Sequence, residues 1–141
     1  MTRNVMNMIQ VLFLVSTGWF YLTTARATRH QIYPRPTFNE TEQNVTVRVG
    51  DDARLPCSVQ NLGTKVVLWY KADQPAPITI GLFTYASDGN YYLEHQVTSV
   101  SGSQWNLHIQ DVNYQHAGVY VCKLADRRES AERNVKLNVV G

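Results

Sequence analysis

The residues of this chain best suited to chemistry are two cysteines, four histidines and one pair of adjacent aspartates. Asp51 and Asp52 directly follow Gly50, where aspartate is favoured because its side chain hydrogen-bonds the backbone of a turn. The histidines stand singly, without the spacing of a metal site, and the sequence has no G-x-S-x-G motif and no glycine-rich phosphate loop. We therefore expect no enzymatic activity, no metal and no cofactor. The histidines are His30, His95, His108 and His116.

The first 27 residues have the pattern of a secretory signal peptide. A short polar start with Arg3 precedes an apolar run at residues 9–22, and the small residues Ala25 and Ala27 form a cleavage site. The alternative is an uncleaved anchor helix, but the run is shorter than the ~20 residues that span a bilayer. In an exported chain, Cys57 and Cys122 most simply form a disulfide bond.

Length and charge exclude other classes of protein. The chain has 141 residues, enough for one domain of ordinary size. Two of its thirteen Lys and Arg residues and none of its eleven Asp and Glu residues precede Thr28, so eleven of each sign remain. A neutral mature chain without a basic run is a poor binder of nucleic acid. No second apolar run or hydrophobic tail follows, so we expect a secreted, soluble product that does not insert into a membrane, or one associated with the cell surface if the full-length product carries further domains or an anchor.

The rest of the sequence has the pattern of an all-β domain. An irregular leader is expected at residues 28–36 because it is polar and contains two prolines. From residue 37 to 141, short runs of alternating or β-branched residues recur at roughly ten-residue spacing between turn signals, and no helical stripe interrupts them. This spacing predicts an antiparallel sandwich or barrel.

Four residues favour the sandwich. Trp69 follows Cys57 by twelve positions, and a buried tryptophan packed on an inter-sheet disulfide is typical of an immunoglobulin-type sandwich. Tyr120 stands two residues before Cys122, where a tyrosine-corner hydroxyl bonds back to the backbone. In the strand before that corner, alternate residues are expected to point inward. The predicted core residues are Trp69, Leu107, Ile109 and Tyr120.

These residues also carry a resemblance that covers about residues 37–140. The chain resembles a V-set or I-set domain of the immunoglobulin superfamily, which implies a Greek-key sandwich with one inter-sheet disulfide. It is most similar to the first domain of lachesin, of the defective-proboscis-extension-response proteins and their interacting partners, and of the IgLON group. The matching motifs are Gly50-x-x-Ala53-x-Leu55-x-Cys57, Trp69, Thr79-Ile80-Gly81 and Ala117-Gly118-x-Tyr120-x-Cys122.

Two positions depart from the family pattern. The superfamily usually places aspartate where His116 stands and arginine where Asn90 stands, and those two residues form a buried ion pair. Because both positions are changed together, neither charge is left without its partner. We expect no buried charge pair between these two positions.

The outward residues of neighbouring strands predict a surface for binding another protein. If Trp69 and Cys122 point inward, then Leu68, Tyr70 and Val121 point outward. Apolar residues at the centre of a patch with a charge at its rim are typical of protein interfaces, whereas singly scattered apolar residues are the alternative. The predicted partner-binding face comprises Leu68, Tyr70, Ile78, Ile80, Phe83, Val121 and Lys123.

Three functions fit this pattern. The resemblance implies an extracellular cell-adhesion module, in neuronal or other cell-surface recognition, that binds another immunoglobulin domain through this face. Pairing with itself and pairing with a different chain both stay open. The second hypothesis is a secreted antagonist or immune-type recognition factor for an unrelated ligand, and the third is a structural spacer domain.

Two Asn-x-Thr sequons predict N-linked glycans if the chain is exported. They begin at Asn39 and Asn44. Both lie in or near the first predicted strand, so we expect their glycans to leave the partner-binding face uncovered.

Overall fold

The computed structural model describes residues 32–141, whose regular structure is β-strand apart from one 3-10 turn at Tyr114–His116. The predicted signal peptide at residues 1–27 lies outside the described residues. The strands are β1 (Thr37–Phe38), β2 (Asn44–Arg48), β3 (Ala53–Leu55), β4 (Ser58–Gln60), β5 (Val66–Lys71), β6 (Pro77–Ile80), β7 (Phe83–Thr84), β8 (Tyr91–Val97), β9 (Gly102–Ile109), β10 (Gly118–Ala125) and β11 (Ser130–Val140).

The strands form two sheets that enclose a common core. In the first sheet, β9 pairs with β3 and β4 and also with β8, and β1 pairs with β4. The second sheet has the order β2-β11-β10-β5-β6-β7. Every pairing is antiparallel except that of β2 with β11. The chain passes from the first sheet to the second between β1 and β2, and the predicted antiparallel sandwich is confirmed.

A disulfide bond joins the two sheets at the centre of the core. It links Cys57, which follows β3, to Cys122 in β10, and so confirms the predicted pairing. Trp69 lies directly beside Cys122 in the β5–β10 register and has no exposed surface. Its Nε1–H donates a hydrogen bond of 2.8 Å to the carbonyl oxygen of Trp105 in the opposite sheet. Leu107, Ile109 and Tyr120, which the sequence also places in the core, are fully buried.

The hydroxyl of Tyr120 links β10 to the 3-10 turn before it and to β8 of the other sheet. It donates a hydrogen bond of 2.6 Å to the carbonyl oxygen of His116 and lies 3.1 Å from the hydroxyl of Tyr91. Burial, followed by the contact with Tyr91, raises the pKa of Tyr120 far above its ordinary value. The hydroxyl therefore stays protonated and remains a donor to the turn.

Proline divides one strand of the first sheet into β3 and β4. Pro56 has no N–H to donate, but the register with β9 is the same on both sides of it, since Leu55 pairs with Leu107 and Ser58 with Gln104. Within this gap, the N–H of Cys57 donates to the side-chain oxygen of Asn106 at 3.1 Å. The buried side-chain amide of Asn106 therefore supplies the acceptor that the Cys57 N–H would otherwise find on the backbone of β9.

Candidate functional site

The outer face of the second sheet carries most of the residues predicted to bind a partner. Trp69 points into the core, so its neighbours Leu68 and Tyr70 lie on the outer face, where both are half-buried. In the register of β5 with β10, Tyr70 lies beside Val121 and Leu68 beside Lys123. The strand alternation predicted from Trp69 is thus observed.

A polar network crosses the same face from β5 to β11. Glu132 accepts a hydrogen bond of 3.2 Å from the Tyr70 hydroxyl, and its carboxylate lies 3.2 Å from Nζ of Lys123. Partial burial, followed by the bond to Glu132, raises the pKa of Tyr70. Glu132 is not among the residues predicted for this face, although alternation from buried Val135 and Leu137 along β11 places it there.

A shallow groove lies beside this network. It has a volume of about 660 Å³ and runs from β10 across β5 to the loop before β6. Its lining combines apolar residues with one lysine, one aspartate and one glutamine. The lining residues are Leu68, Tyr70, Ala72, Asp73, Gln74, Pro75, Pro77, Lys123 and Ala125.

The family of this chain follows from a match over most of its length. The model of the immunoglobulin V-set domain matches residues 40–140. The chain belongs to the immunoglobulin V-set family. The match confirms the resemblance to a V-set domain that the sequence motifs indicate.

Known proteins resemble the V-set domain in sequence and in structure. "Cell adhesion molecule-related/down-regulated by oncogenes" of Xenopus laevis is 26% identical over 125 residues, which are 82% of this chain but only 10% of that protein. The structure of Dpr1 IG1 bound to DIP-eta IG1 is 30% identical with a TM-score of 0.67, and the match covers 75% of this chain and 97% of that one. The structure of DIP-gamma IG1+IG2 is 25% identical with a TM-score of 0.69, over 77% of this chain and 50% of that one.

Two residues predicted for the partner-binding face of the V-set domain are buried instead. Ile78 is 4% exposed and packs in the core, because a bulge shifts the β5–β6 register between Trp69 and Tyr70. Tyr70 consequently pairs with Pro77, and Ile78 turns inward. Val121 does lie on the outer side of β10, but neighbouring side chains leave it only 4% exposed. Val121 therefore packs beneath the exposed residues of the face and offers a partner almost no surface of its own.

The β6–β7 edge extends the face beyond the groove. Ile80 pairs with Leu68 on one side and with Phe83 on the other, so these three side chains share the outer face. Phe83 is 71% exposed, and Leu82 and Tyr85 beside it are also exposed. Phe83 therefore presents a large exposed apolar side chain at one margin of the face.

The two positions where the family usually has an ion pair are His116, whose carbonyl accepts from Tyr120, and Asn90. His116 is buried and its Nε2 lies 3.0 Å from a carboxylate oxygen of Asp88. Its Nδ1 accepts a hydrogen bond from the N–H of Asn113, so Nε2 carries the proton that it donates to Asp88. Asn90 takes part through its backbone, which donates to Asp88. Asp88, which no sequence pattern predicts as a partner, thus takes the place of a family residue beside His116.

A buried lysine lies next to this pair. Lys71 is 6% exposed, and its ammonium donates a hydrogen bond of 2.8 Å to the carbonyl oxygen of Gln115. The ammonium also lies 5.9 Å from the centre of the Tyr120 ring. Among residues 32–141, no carboxylate oxygen comes within 4.0 Å of it. A carbonyl and an aromatic ring thus replace a carboxylate as its neighbours.

Stability in acid is expected to depend on Asp88. The bond from His116, followed by that from the Asn90 N–H, lowers the pKa of the Asp88 carboxyl. A lowered pKa stabilises the folded state fully above the unfolded value of about 4, and this contribution is lost as the pH falls through the folded value. Urea denaturation should therefore show a constant difference between wild type and Asp88→Asn above about pH 5, which shrinks below about pH 4.

An exposed carboxylate provides the control for this experiment. Glu42→Gln, ahead of β2, should follow the wild-type curve throughout. If Asp88→Asn and Glu42→Gln behave alike across this range, the His116–Asp88 bond contributes nothing to stability.

His95 and His108 lie on β8 and β9 of the first sheet, away from the partner-binding face, whereas His30 lies outside the described residues. His108 lies on the outer face of the first sheet, where it stacks on Tyr92 with ring centres 4.6 Å apart and contacts Glu94. Glu94 also accepts from Arg54 at 3.2 Å. Within the described part of the chain, no three His, Cys, Asp or Glu side chains are grouped as metal ligands, and no helix is long and apolar enough to cross a membrane.

Proposed function

We propose that this chain is an extracellular recognition module that acts in cell adhesion by binding another immunoglobulin domain through the outer face of its second sheet. The composition of that face carries the proposal. Half-buried Leu68 and Tyr70 share this face with exposed Phe83, which Ile80 separates from Leu68, and the Lys123–Glu132 pair borders them. Aromatic and aliphatic anchors within a charged rim are typical of the residues that dominate protein–protein binding.

The similar proteins support this proposal. The matched Dpr1 structure is a complex of one IG1 domain with another, and the matched Xenopus protein is named as related to a cell adhesion molecule. This chain spans about a tenth of the length of that relative, so the partner is proposed for the V-set domain and not for a longer protein. The predicted signal peptide and the disulfide between Cys57 and Cys122 favour secretion or display at the cell surface.

Tyr70→Ala tests the face directly. Because Tyr70 lies at the centre of the face, its loss should weaken partner binding by about 2 kcal/mol or more, roughly 30-fold, while the melting temperature hardly changes. Surface plasmon resonance with three immobilised probes measures the effect: a second copy of the domain, Dpr1 IG1 and DIP-eta IG1.

A tyrosine on the opposite sheet is the matched control. Tyr92 is 41% exposed on the outer face of the first sheet, and Tyr92→Ala should leave binding unchanged. Loss of binding in Tyr92→Ala but not in Tyr70→Ala would place the interface on the first sheet and contradict the proposal. Absence of binding to all three probes would count against an immunoglobulin-type partner.

Charge reversal at Lys123 should act mainly on association. Lys123 lies at the rim of the face, and Lys123→Glu should slow association and change its salt dependence, with a smaller effect on dissociation. Arg54→Glu makes the same charge change on the opposite sheet and should have little effect. Equal slowing in both variants would show that net charge, and not the position of Lys123, controls association.

A further inference from the structure

The sequon at Asn44 lies on the outer side of the second sheet, the side that also carries the partner-binding residues. In β2, Val45 is buried, so Asn44 and Thr46 point to the outer side of the second sheet. The Asn138 amide of β11 reaches the Thr46 hydroxyl at 3.5 Å on that side. Glu132 and Asn138 are an even number of residues apart in β11, so they share this side of the sheet.

The sheet order gives the separation between Asn44 and the centre of the face. Asn44 pairs with Lys136 in β11, which pairs with Val119 in β10, and β5 follows. Neighbouring strands lie ~4.8 Å apart, so three spacings place Asn44 about 14 Å from β5. A bulky glycan at Asn44 would cover β2 and β11 at one edge of the sheet. The groove and Phe83 lie on the same face but toward the opposite edge, formed by β7.

The other sequon differs because its amide already has a partner. Nδ2 of Asn39 donates a hydrogen bond of 2.9 Å to the hydroxyl of Ser58, and the Asn39 backbone N–H donates to the Ser58 carbonyl at 2.9 Å. Asn39 follows β1 of the first sheet and is half-buried. The Asn44 side chain is exposed, and no hydrogen bond to it is made by residues 32–141. Of the two sequon asparagines, Asn44 is the one whose side-chain amide has no hydrogen-bond partner among residues 32–141.

We propose that Asn44 carries an N-linked glycan which confines the partner to the β10-β5-β6-β7 half of the outer face. This inference rests on the proposed function, since it specifies the part of that face which the partner covers. The glycan excludes a partner from β2 and β11 near Lys136. The binding surface that remains is centred on Tyr70 and Phe83.

Glycan occupancy is tested on the full chain secreted from eukaryotic cells. Asn44→Gln and Thr46→Ala should both remove one glycan mass, because each destroys the sequon, whereas Asn39→Gln should leave that mass in place. Intact-protein mass spectrometry before and after enzymatic deglycosylation measures this without reference to binding. An unchanged mass in Asn44→Gln, or loss of the glycan in Asn39→Gln instead, would overturn the assignment.

The footprint is tested by moving the glycan. Leu82→Asn creates a sequon with Phe83 and Thr84 at the opposite margin, and its glycan should weaken binding at least 30-fold to whichever immobilised IG1 probe or second copy binds the wild type. Phe83→Glu should weaken binding at least tenfold without any glycan, whereas Asn44→Gln should change it less than twofold. A tenfold or greater change in affinity for Asn44→Gln would show that the partner also covers β2 and β11.

These outcomes separate the two proposals. If Tyr70→Ala weakens binding but Asn44 is unmodified or its removal alters affinity tenfold, only the glycan inference fails. If Tyr70→Ala, Phe83→Glu and Leu82→Asn all leave binding intact, the proposed function fails, and the mass measurement still decides whether Asn44 carries a glycan.

Discussion

Replacing both cysteines with alanine is expected to lower the free energy of unfolding by about 4 kcal/mol. The bond between Cys57 and Cys122 closes a loop with a sequence separation of 65, and cross-linking a loop of that length restricts the unfolded chain by about this amount. Domains of this size are stable by only about 5–15 kcal/mol, so the variant should be close to unfolding at 37 °C. Urea denaturation of the double variant and of the wild type measures the difference.

Thiol labelling provides the control for this prediction. Wild-type secreted protein, denatured without reduction, should contain no reactive thiol, whereas the reduced protein should contain two. Reactive thiols in the unreduced protein, or a double variant within about 1 kcal/mol of wild type, would show that the bond does not stabilise the domain.

The direction of the β5 side chains could be predicted because one inward residue fixes the others. Trp69 is recognisable from its distance to Cys57, and once it points inward, alternation places Leu68 and Tyr70 outside. The same reasoning is wrong for Ile78, because a β-bulge adds a residue to one strand of a pair. Alternation along a single strand contains no information about a bulge, since the bulge is a property of the pairing.

Contacts between distant segments were the part of the site that the sequence could not predict. Glu132 meets Tyr70 across 62 residues, and Asp88 meets His116 across 28. The first contact depends on the pairing of β10 with both β5 and β11, and the second joins the loop before β8 to the 3-10 turn before β10. The β10–β11 register is set by the turn between them, where Asp126 accepts hydrogen bonds from two backbone N–H groups.

The two sequons show the same limit. Asn39 and Asn44 are five residues apart and were expected to lie together, away from the binding face. Between them the chain leaves the first sheet and joins β11 of the second, so the two asparagines belong to different sheets. This crossing between sheets therefore decides the position of a glycan relative to Tyr70. The number of residues between the two sequons does not.

Trp69→Ala is expected to lower the free energy of unfolding by about 3–5 kcal/mol, the usual loss for a fully buried tryptophan. Part of the loss comes from the cavity left between the sheets beside Cys122. Part comes from the carbonyl of Trp105, which loses the indole N–H that donates to it at 2.8 Å. Urea denaturation followed by circular dichroism measures the change, since tryptophan fluorescence would be altered by the substitution itself.

A conservative variant separates these two causes. Trp69→Phe keeps an aromatic ring against the disulfide but removes the donor to Trp105, so its loss should be smaller than that of Trp69→Ala and should consist mainly of the unpaired carbonyl, roughly 1–3 kcal/mol. Equal losses in the two variants would mean that the indole N–H, and not packing, carries the stabilisation. Because Trp69 also fixes the direction of Tyr70, Trp69→Phe should retain partner binding at temperatures where it is folded. A folded Trp69→Phe variant that no longer binds would show that the outer face depends on the indole ring itself.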